Sequence, residues 1–284
     1  ANLEYFINSI SSKNLPNLVF VDNTSSEDVV AEYSLLFNNN ISIVTCNKKG
    51  NSSSYEQYSK FKRLAKKNNV SFLYETNVGA GLPIIKTLND LWISGDEILK
   101  IEAILSGTIS YIFNNYVGDN TFAEVVRTAQ ELGYTEPDPR DDLNGMDFSR
   151  KMLILGREIG LPLEMSNVNI KDFLPEACLK AESIPAFYEE LEKHEPYFSS
   201  FKNEAENSGR KLRLIGVLED GKINIEVQIV DANHPFFGLS GSDNIISFTT
   251  SRYKNTPLVV KGPGAGAEVT AAGVFADLVR VTAQ

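Results

Sequence analysis

The sequence predicts an α/β fold, and three observations carry that expectation. Three short apolar runs, at residues 18–22, 41–45 and 70–74, are separated by helix-length segments. Those segments open on Ser and Thr, residues whose side chains cap helix N-termini. Strands joined by helices of this length pair in parallel, with helices covering the faces of the sheet. The last third instead offers two strand-like runs meeting at a short turn, which adds a hairpin to the second part of the chain.

Taken in order, residues 2–11 read as the end of a helix and 18–22 (LVFVD) as a buried strand. Thr24, Ser25 and Ser26 then cap a helix over 27–37, which the Asn run at 38–40 ends. A second strand follows at 41–45 (ISIVT). Ser52, Ser53 and Ser54 cap a helix over 55–67, and 70–74 (VSFLY) is the third strand. Ligands of parallel sheets bind beyond the carboxyl ends of the strands. Those ends carry Asp22-Asn23-Thr24, Asn47-Lys48 and Glu75-Thr76-Asn77. The first twenty residues contain no glycine, so the strand, GxGxxG turn and helix that open a dinucleotide fold are not present. The sheet is therefore expected to begin part-way through.

Beyond it, 100–105 reads as a strand, followed by a Ser106-Gly107-Thr108 turn and a helix through Phe113. An amphipathic helix over 121–132 stops at Gly133, and another over 144–159 stops at Gly160. Residues 175–210 look helical and charged. The hairpin strands are 212–218 and 223–230, joined through Glu219-Asp220-Gly221. Strands at 245–250 and 258–261 and a helix at 269–281 complete the chain.

Composition narrows the partners. The hydrophobic fraction of 42% and charged fraction of 23% suit a chain with a sizeable core. Twenty-seven basic residues against thirty-seven acidic give a net charge of −10, which argues against nucleic acid and anionic membranes as partners. Cys46 and Cys178 lie far apart, so neither a disulfide framework nor a zinc knuckle is expected, and a reducing cytoplasm is the simplest location. No signal segment and no bilayer-spanning apolar run is visible. The two histidines, His194 and His234, sit in a polar run and a turn-like ANHPF, where structural roles are expected.

The densest chemistry lies in 133–151, GYTEPDPRDDLNGMDFSRK. Glu136, Asp138, Asp141, Asp142 and Asp147 place five carboxylates within twelve residues, in a segment stiffened by Pro137 and Pro139. On the helix that follows, Phe148, Met152, Leu155 and Ile159 form a buried stripe. Asp147 and Lys151, four apart, share a face at its border. Spacing alone leaves two readings open. One is an exposed ion pair beside a solvated acidic loop. The other is a cleft whose carboxylates hold a substrate ammonium or hydroxyl, with Lys151 as proton carrier. A lysine kept cationic by neighbouring carboxylates suits proton donation to a developing alkoxide.

Three further segments draw attention. Residues 75–83, ETNVGAGLP, follow a strand and combine one carboxylate with a glycine-rich backbone whose carbonyls can ligate sodium or another oxygen-loving cation; a plain glycine turn is the alternative. Residues 262–267, GPGAGA, precede the last helix and offer either an anion cradle or a tight strand-to-helix turn. Residues 45–50, TCNKKG, place Lys48 just past a strand end, either reaching a cleft or solvated in the loop.

Together these segments resemble homoserine dehydrogenases. VDNTSS (21–26), NKKGNSSS (47–54), ETNVGAGLP (75–83), LSGTISYIFN (105–114), GYTEPDPRDDLNGMDFSRK (133–151) and GPGAGAEVTAAGVFADL (262–278) occur in the family's order, from near the start to the C-terminus. NKKGNSSS and AAGVFADLVR are most similar to the C-terminal half of bifunctional aspartokinase–homoserine dehydrogenases. The resemblance implies NAD(P)-dependent interconversion of L-homoserine and L-aspartate 4-semialdehyde, on the path to threonine and methionine. It implies that Lys151 is the acid/base group, that Lys48 lines the cofactor and substrate site, and that Glu136, Asp147 and Asp142 bind substrate. It also implies that Thr24 and Gly266 contact the cofactor, and that Glu75 with the carbonyls of Val78, Ala80 and Leu82 holds sodium. The architecture it implies is a partial Rossmann-like parallel sheet over 1–82, completed by the helix at 267–284, and an α+β catalytic and dimerisation domain over 83–266 with a mixed sheet. The strands after Leu212 would pair two subunits into a homodimer or higher oligomer, and the full polypeptide would carry an aspartokinase domain. The chain departs from the family's pattern in lacking its opening strand and glycine turn. Two rival functions are a non-catalytic, dimerising amino-acid-binding module and a lyase working through a Schiff-base lysine.

Overall fold

β1 (Val19–Asp22), β2 (Ser42–Thr45) and β3 (Phe72–Leu73) pair in parallel, in that order. This is a computed structural model, and it describes residues 3–282 apart from 14 and 172. The helix expected over 27–37 divides into Glu27–Ala31 and Tyr33–Asn38. The break at Glu32 turns Tyr33 beneath the sheet, where its hydroxyl reaches Asp22 at 2.5 Å and Thr45 Oγ1 at 3.0 Å. The Tyr55–Lys67 helix forms as the sequence indicates, with Ser54 as its cap.

A six-stranded sheet follows: β4 (Ile98–Ile104), β5 (Val168–Ile170), β6 (Lys211–Glu219), β7 (Lys222–Val230), β8 (Asp243–Thr250) and β9 (Leu258–Pro263). Its order is β5-β7-β6-β4-β8-β9, antiparallel except for β5 against β7, so the sheet is mixed. The β6–β7 hairpin turns through Asp220 and Gly221, both at positive φ (50° and 70°), the backbone that a two-residue hairpin loop needs.

The Met146–Glu158 helix lies across β6. Of the expected stripe, Phe148, Met152 and Leu155 are all 2% exposed or less, while Ile159, just past the helix, is half-buried. The approach is close enough to demand glycine at 216, since a Cβ there would meet Phe148 and Met152 at 2.9 Å. The Ala267–Thr282 helix returns to the first sheet and packs against β2 and the Glu75–Asn77 turn. Here a Cβ on Gly81 would lie 2.5 Å from the Val269 carbonyl oxygen, so glycine is what lets the two backbones touch. No helix among the described residues is long and apolar enough to cross a membrane.

Among the elements that the sequence reading does not name, two owe their existence to distant partners. The Ile85–Ile93 helix has no local capping residue; the Glu75 carboxylate, ten positions upstream, accepts from the backbone N–H of Ile85 (2.7 Å) and Lys86 (3.0 Å) instead. β5, only three residues long, gains its strand identity from β7.

Candidate active site

The ends of β2 and β4, the Met146–Glu158 helix and the turn after β9 enclose a cleft of about 460 Å³. Each wall brings chemistry for a local reason. Asn47 caps a short helix, Lys48–Asn51, by accepting from Lys49 N at 3.1 Å, and this sets Lys48 at the cleft's edge. Asn47 is itself held by the buried Asp22, its Nδ2 donating to Oδ2 at 3.1 Å. From the opposite wall come Asp147, in the first turn of its helix, and Lys151 one turn later. An acidic side chain is favoured at a helix N-terminus.

The lysines meet at one carboxylate. Asp147 contacts Lys151 Nζ at 2.8 Å through Oδ2 and Lys48 Nζ at 3.4 Å through Oδ1. Lys151 Nζ also donates to the Leu105 carbonyl oxygen at 2.6 Å. Burial pushes the Asp147 carboxyl up, but the two ammonium groups and their hydrogen bonds outweigh it and hold it at about 2. The Asp147–Lys151 pair stands in the wall of a cleft, Lys151 mostly covered and Asp147 half exposed.

The acidic stretch divides in an informative way. Pro139–Leu143 is a turn of helix where a stiff loop is expected, with Asp138 as cap and Pro139 at its first position. Asp138 is committed to Arg140, accepting from its backbone N–H at 3.0 Å and Nε at 2.8 Å, and lies outside the cleft lining. Glu136, Asp141, Asp142 and Asp147 line it. Asp142 accepts from Glu136 N at 2.8 Å and pairs with Thr108 Oγ1 at 2.9 Å. Burial raises its carboxyl above the usual value, with Asp147 and Asp141 adding to the shift against these hydrogen bonds. Neighbouring carboxylates are thus driven in opposite directions, a pattern suited to dividing binding from proton handling.

Gly264, Ala265 and Gly266 also line the cleft. Thr24 lies outside it: at the end of β1 its N–H (2.8 Å) and Oγ1 (2.7 Å) both meet Asp22 Oδ1. In the 75–83 segment, the Glu75 side chain is buried and both its oxygens accept helix N–H groups, so it offers a cation little as a ligand. What the loop can present to a cation is backbone carbonyl oxygen, at Val78, Ala80 and Leu82. The histidines stay away from the cleft. His194 bonds through Nδ1 to the Glu190 carbonyl oxygen at 2.8 Å, and His234 Nδ1 accepts from Phe236 N at 3.1 Å. Sequence reasoning assigned no role to Ser106, Thr76 or the Leu105 carbonyl. The signal for two of them was present, since 105–108 follows a strand end as the other site segments do.

The chain is similar to known proteins over most of its length. The homoserine dehydrogenase family model matches residues 83–279. Homoserine dehydrogenase of Schizosaccharomyces pombe is 42% identical over 100% of this chain and 77% of its own length. The chloroplastic bifunctional aspartokinase/homoserine dehydrogenase 1 of Zea mays is 46% identical over 99% of the chain, which spans only 31% of that protein. A Candida auris protein of unknown function superimposes with a TM-score of 0.95 at 37% identity, covering 100% of this chain and 81% of that one. A hyperthermophilic archaeal homoserine dehydrogenase in complex with NADPH shares the fold, with a TM-score of 0.72 at 24% identity over 93% of this chain and 71% of that one. With a matching family model over more than half its length and a relative of this identity aligned over most of both chains, this protein belongs to the homoserine dehydrogenase family.

Proposed function

We propose that this chain interconverts L-homoserine and L-aspartate 4-semialdehyde with NADP or NAD, in threonine and methionine biosynthesis. The observation that carries the reading is the Asp147 carboxylate bridging Lys48 and Lys151 in an acidic cleft. Nicotinamide, when bound, supplies or accepts the hydride. Glu136, Asp141 and Asp142 outnumber the charge left on the lysines and favour the substrate's α-ammonium. An ammonium has three N–H donors. Asp147 and the Leu105 carbonyl engage two on Lys151, which leaves one for the substrate oxygen. Lys151 gives that proton to the alkoxide as it forms, and takes it back in the oxidation direction. Lys48 and Gly266 border the cofactor's reactive end, with Thr24 further along the strand ends.

In the same reading, residues 1–82 and the helix at 267–284 bind the nucleotide, and 83–266 hold the substrate and pair subunits through the strands after Leu212. Sodium would sit on the carbonyls of Val78, Ala80 and Leu82, with Glu75 contributing charge and the position of its backbone. A homodimer or larger assembly, an aspartokinase domain on the same polypeptide and a reducing cytoplasm complete the proposal; Cys46 and Cys178 are both free thiols.

The test is NADPH oxidation by the full-length protein with aspartate semialdehyde, followed by absorbance across pH. Turnover is expected; none, with folded protein and saturating substrates, sinks the reading. The pH profile has a fixed sign. Asp142, raised by burial, takes up a proton before an ordinary aspartate does as pH falls, so KM for the semialdehyde should climb from below neutrality. In Asp142→Asn that acid limb should vanish, and KM at pH 7 should already be about tenfold higher, the effect of one charged hydrogen bond.

A further inference from the structure

The two lysines arrive on different elements. Lys48 stands on a helix of four residues, Lys48–Asn51, a length with little stability of its own. Asp147 and Lys151 stand on the thirteen-residue Met146–Glu158 helix. Something must fix one relative to the other, and the far end of the long helix supplies the connection. Arg157, 3% exposed, donates through Nη1 to the Asn51 carbonyl oxygen at 2.8 Å, at the last residue of the Lys48 helix. Its Nε and Nη2 both donate to the Leu163 carbonyl oxygen, at 3.0 and 2.8 Å, and its guanidinium lies 5.2 Å from the Tyr58 ring centre. On the other side of the turn, Asn51 Nδ2 donates to Asn77 Oδ1 at 2.8 Å, and Asn77 Nδ2 to the Thr45 carbonyl oxygen at 3.1 Å.

The neighbouring Glu158 anchors the same helix end. Its carboxylate accepts from the Tyr58 hydroxyl at 3.2 Å, the Tyr74 hydroxyl and Asn89 Nδ2 at 3.3 Å, and pairs with Lys62 at 3.3 Å. These partners come from the Tyr55–Lys67 helix, the residue after β3 and the Ile85–Ile93 helix. A buried guanidinium with three directed donors fixes geometry in a way that a lone ammonium cannot.

We propose that Arg157 is a positioning residue for the reaction: it clamps the Lys48 turn to the helix bearing Asp147 and Lys151, and so sets the spacing of the lysine–carboxylate–lysine triangle. The clamp acts about 15 Å from Asp147, ten residues along the helix at 1.5 Å each. This rests on the reading of Lys48 and Lys151 given above.

The experiment is a double-mutant cycle in the full-length protein, read by kcat and by carboxyl NMR titration of Asp147. Arg157→Lys keeps the charge but cannot hold both carbonyls. It should lower kcat by about ten- to a hundredfold, the scale of a 1 Å misplacement. The same substitution in a Lys48→Met background should change kcat less than about threefold, because the residue being positioned is gone. Asp147, held at about 2 partly by Lys48, should titrate higher in Arg157→Lys. Asn77→Ala, which cuts the tie from the β2 side, should reproduce both effects and serves in its place if Arg157→Lys fails to fold. Full additivity in the cycle, or an unmoved Asp147 titration, overturns the clamp. The titration needs no turnover, so a protein inactive toward the semialdehyde would refute the proposed function and leave the clamp to be decided by NMR alone.

Discussion

Lys151→Met is expected to lower kcat for semialdehyde reduction by about 10²–10⁴, the range that a positioned proton donor contributes. Methionine fills similar space, so the fold should hold while the donor is lost. Lys151 lines the cleft and keeps one N–H after Asp147 and the Leu105 carbonyl have taken the others. Removing it leaves the alkoxide without a proton at the moment charge develops, a loss of transition-state stabilisation of roughly 3–5 kcal/mol. KM for NADPH should stay within about threefold, since the lysine's work falls on the chemical step. The measurement is steady-state kinetics at saturating NADPH. Activity within a factor of three of the parent would end the assignment of Lys151 as proton carrier. A borohydride-trapped adduct on it would instead favour a Schiff-base role.

Asp147→Asn should be nearly as damaging, with kcat lower by about two orders of magnitude. The substitution preserves shape and one hydrogen-bond acceptor but removes the charge between two ammonium groups. The lysines then repel across the position that had joined them, and each is drawn to the remaining carboxylates at Glu136, Asp141 and Asp142. Losing one member of such a group costs more than losing the pair, because the charges left behind are uncompensated. Asp147→Asn combined with Lys48→Met should therefore recover part of the lost kcat. A double variant whose loss equals the product of the single effects would show that Asp147 acts independently of Lys48. The parent enzyme should also show a distinctive acid response. With Asp147 held at about 2, its stabilising charge is complete above the ordinary aspartate value near 4 and disappears only as pH falls through about 2. The triangle should outlast the protonation of Asp142.

Much of this was written into local sequence. The 27–45 alternation, the Ser54 cap and the Asp220-Gly221 turn are short-range signals, and the elements they announce are present, with the 27–37 helix broken at Glu32. Of the stripe Phe148–Met152–Leu155–Ile159 the first three are buried, but so is every residue of the helix from Met152 to Glu158, which 3.6-residue periodicity did not indicate. What local reasoning could not see was supplied from a distance. The cap of the Ile85–Ile93 helix is Glu75, ten residues away and across a glycine loop. β5 exists because β7 lies beside it. Asp138 and Asp142 look alike in the sequence, yet one is taken by Arg140 two residues on and the other turns to Thr108, 34 positions earlier. Lys48 had no signal beyond its place after a strand. Its partner Asp147 lies on the far wall of the cleft, and no periodicity relates the two.

The Ala267–Thr282 helix has a bearing on how the molecule comes to exist. Asp277 receives the Glu75 N–H across 202 residues of chain. Arg280 joins the same cluster, 2.7 Å from Asp277 and 3.7 Å from Glu75. The turn following β3 thus waits for the last helix before its polar groups are met. Contacts of such separation form slowly, because the whole intervening loop must close first. On the ribosome, β1 and β2 emerge before the Ala267–Thr282 helix and stand without its support until it has been made. Assembly of the cleft is thereby tied to that helix, which supplies Thr270 to the lining, and a nascent fragment ending in the mixed sheet would hold the carboxylates and Lys151 with one wall missing.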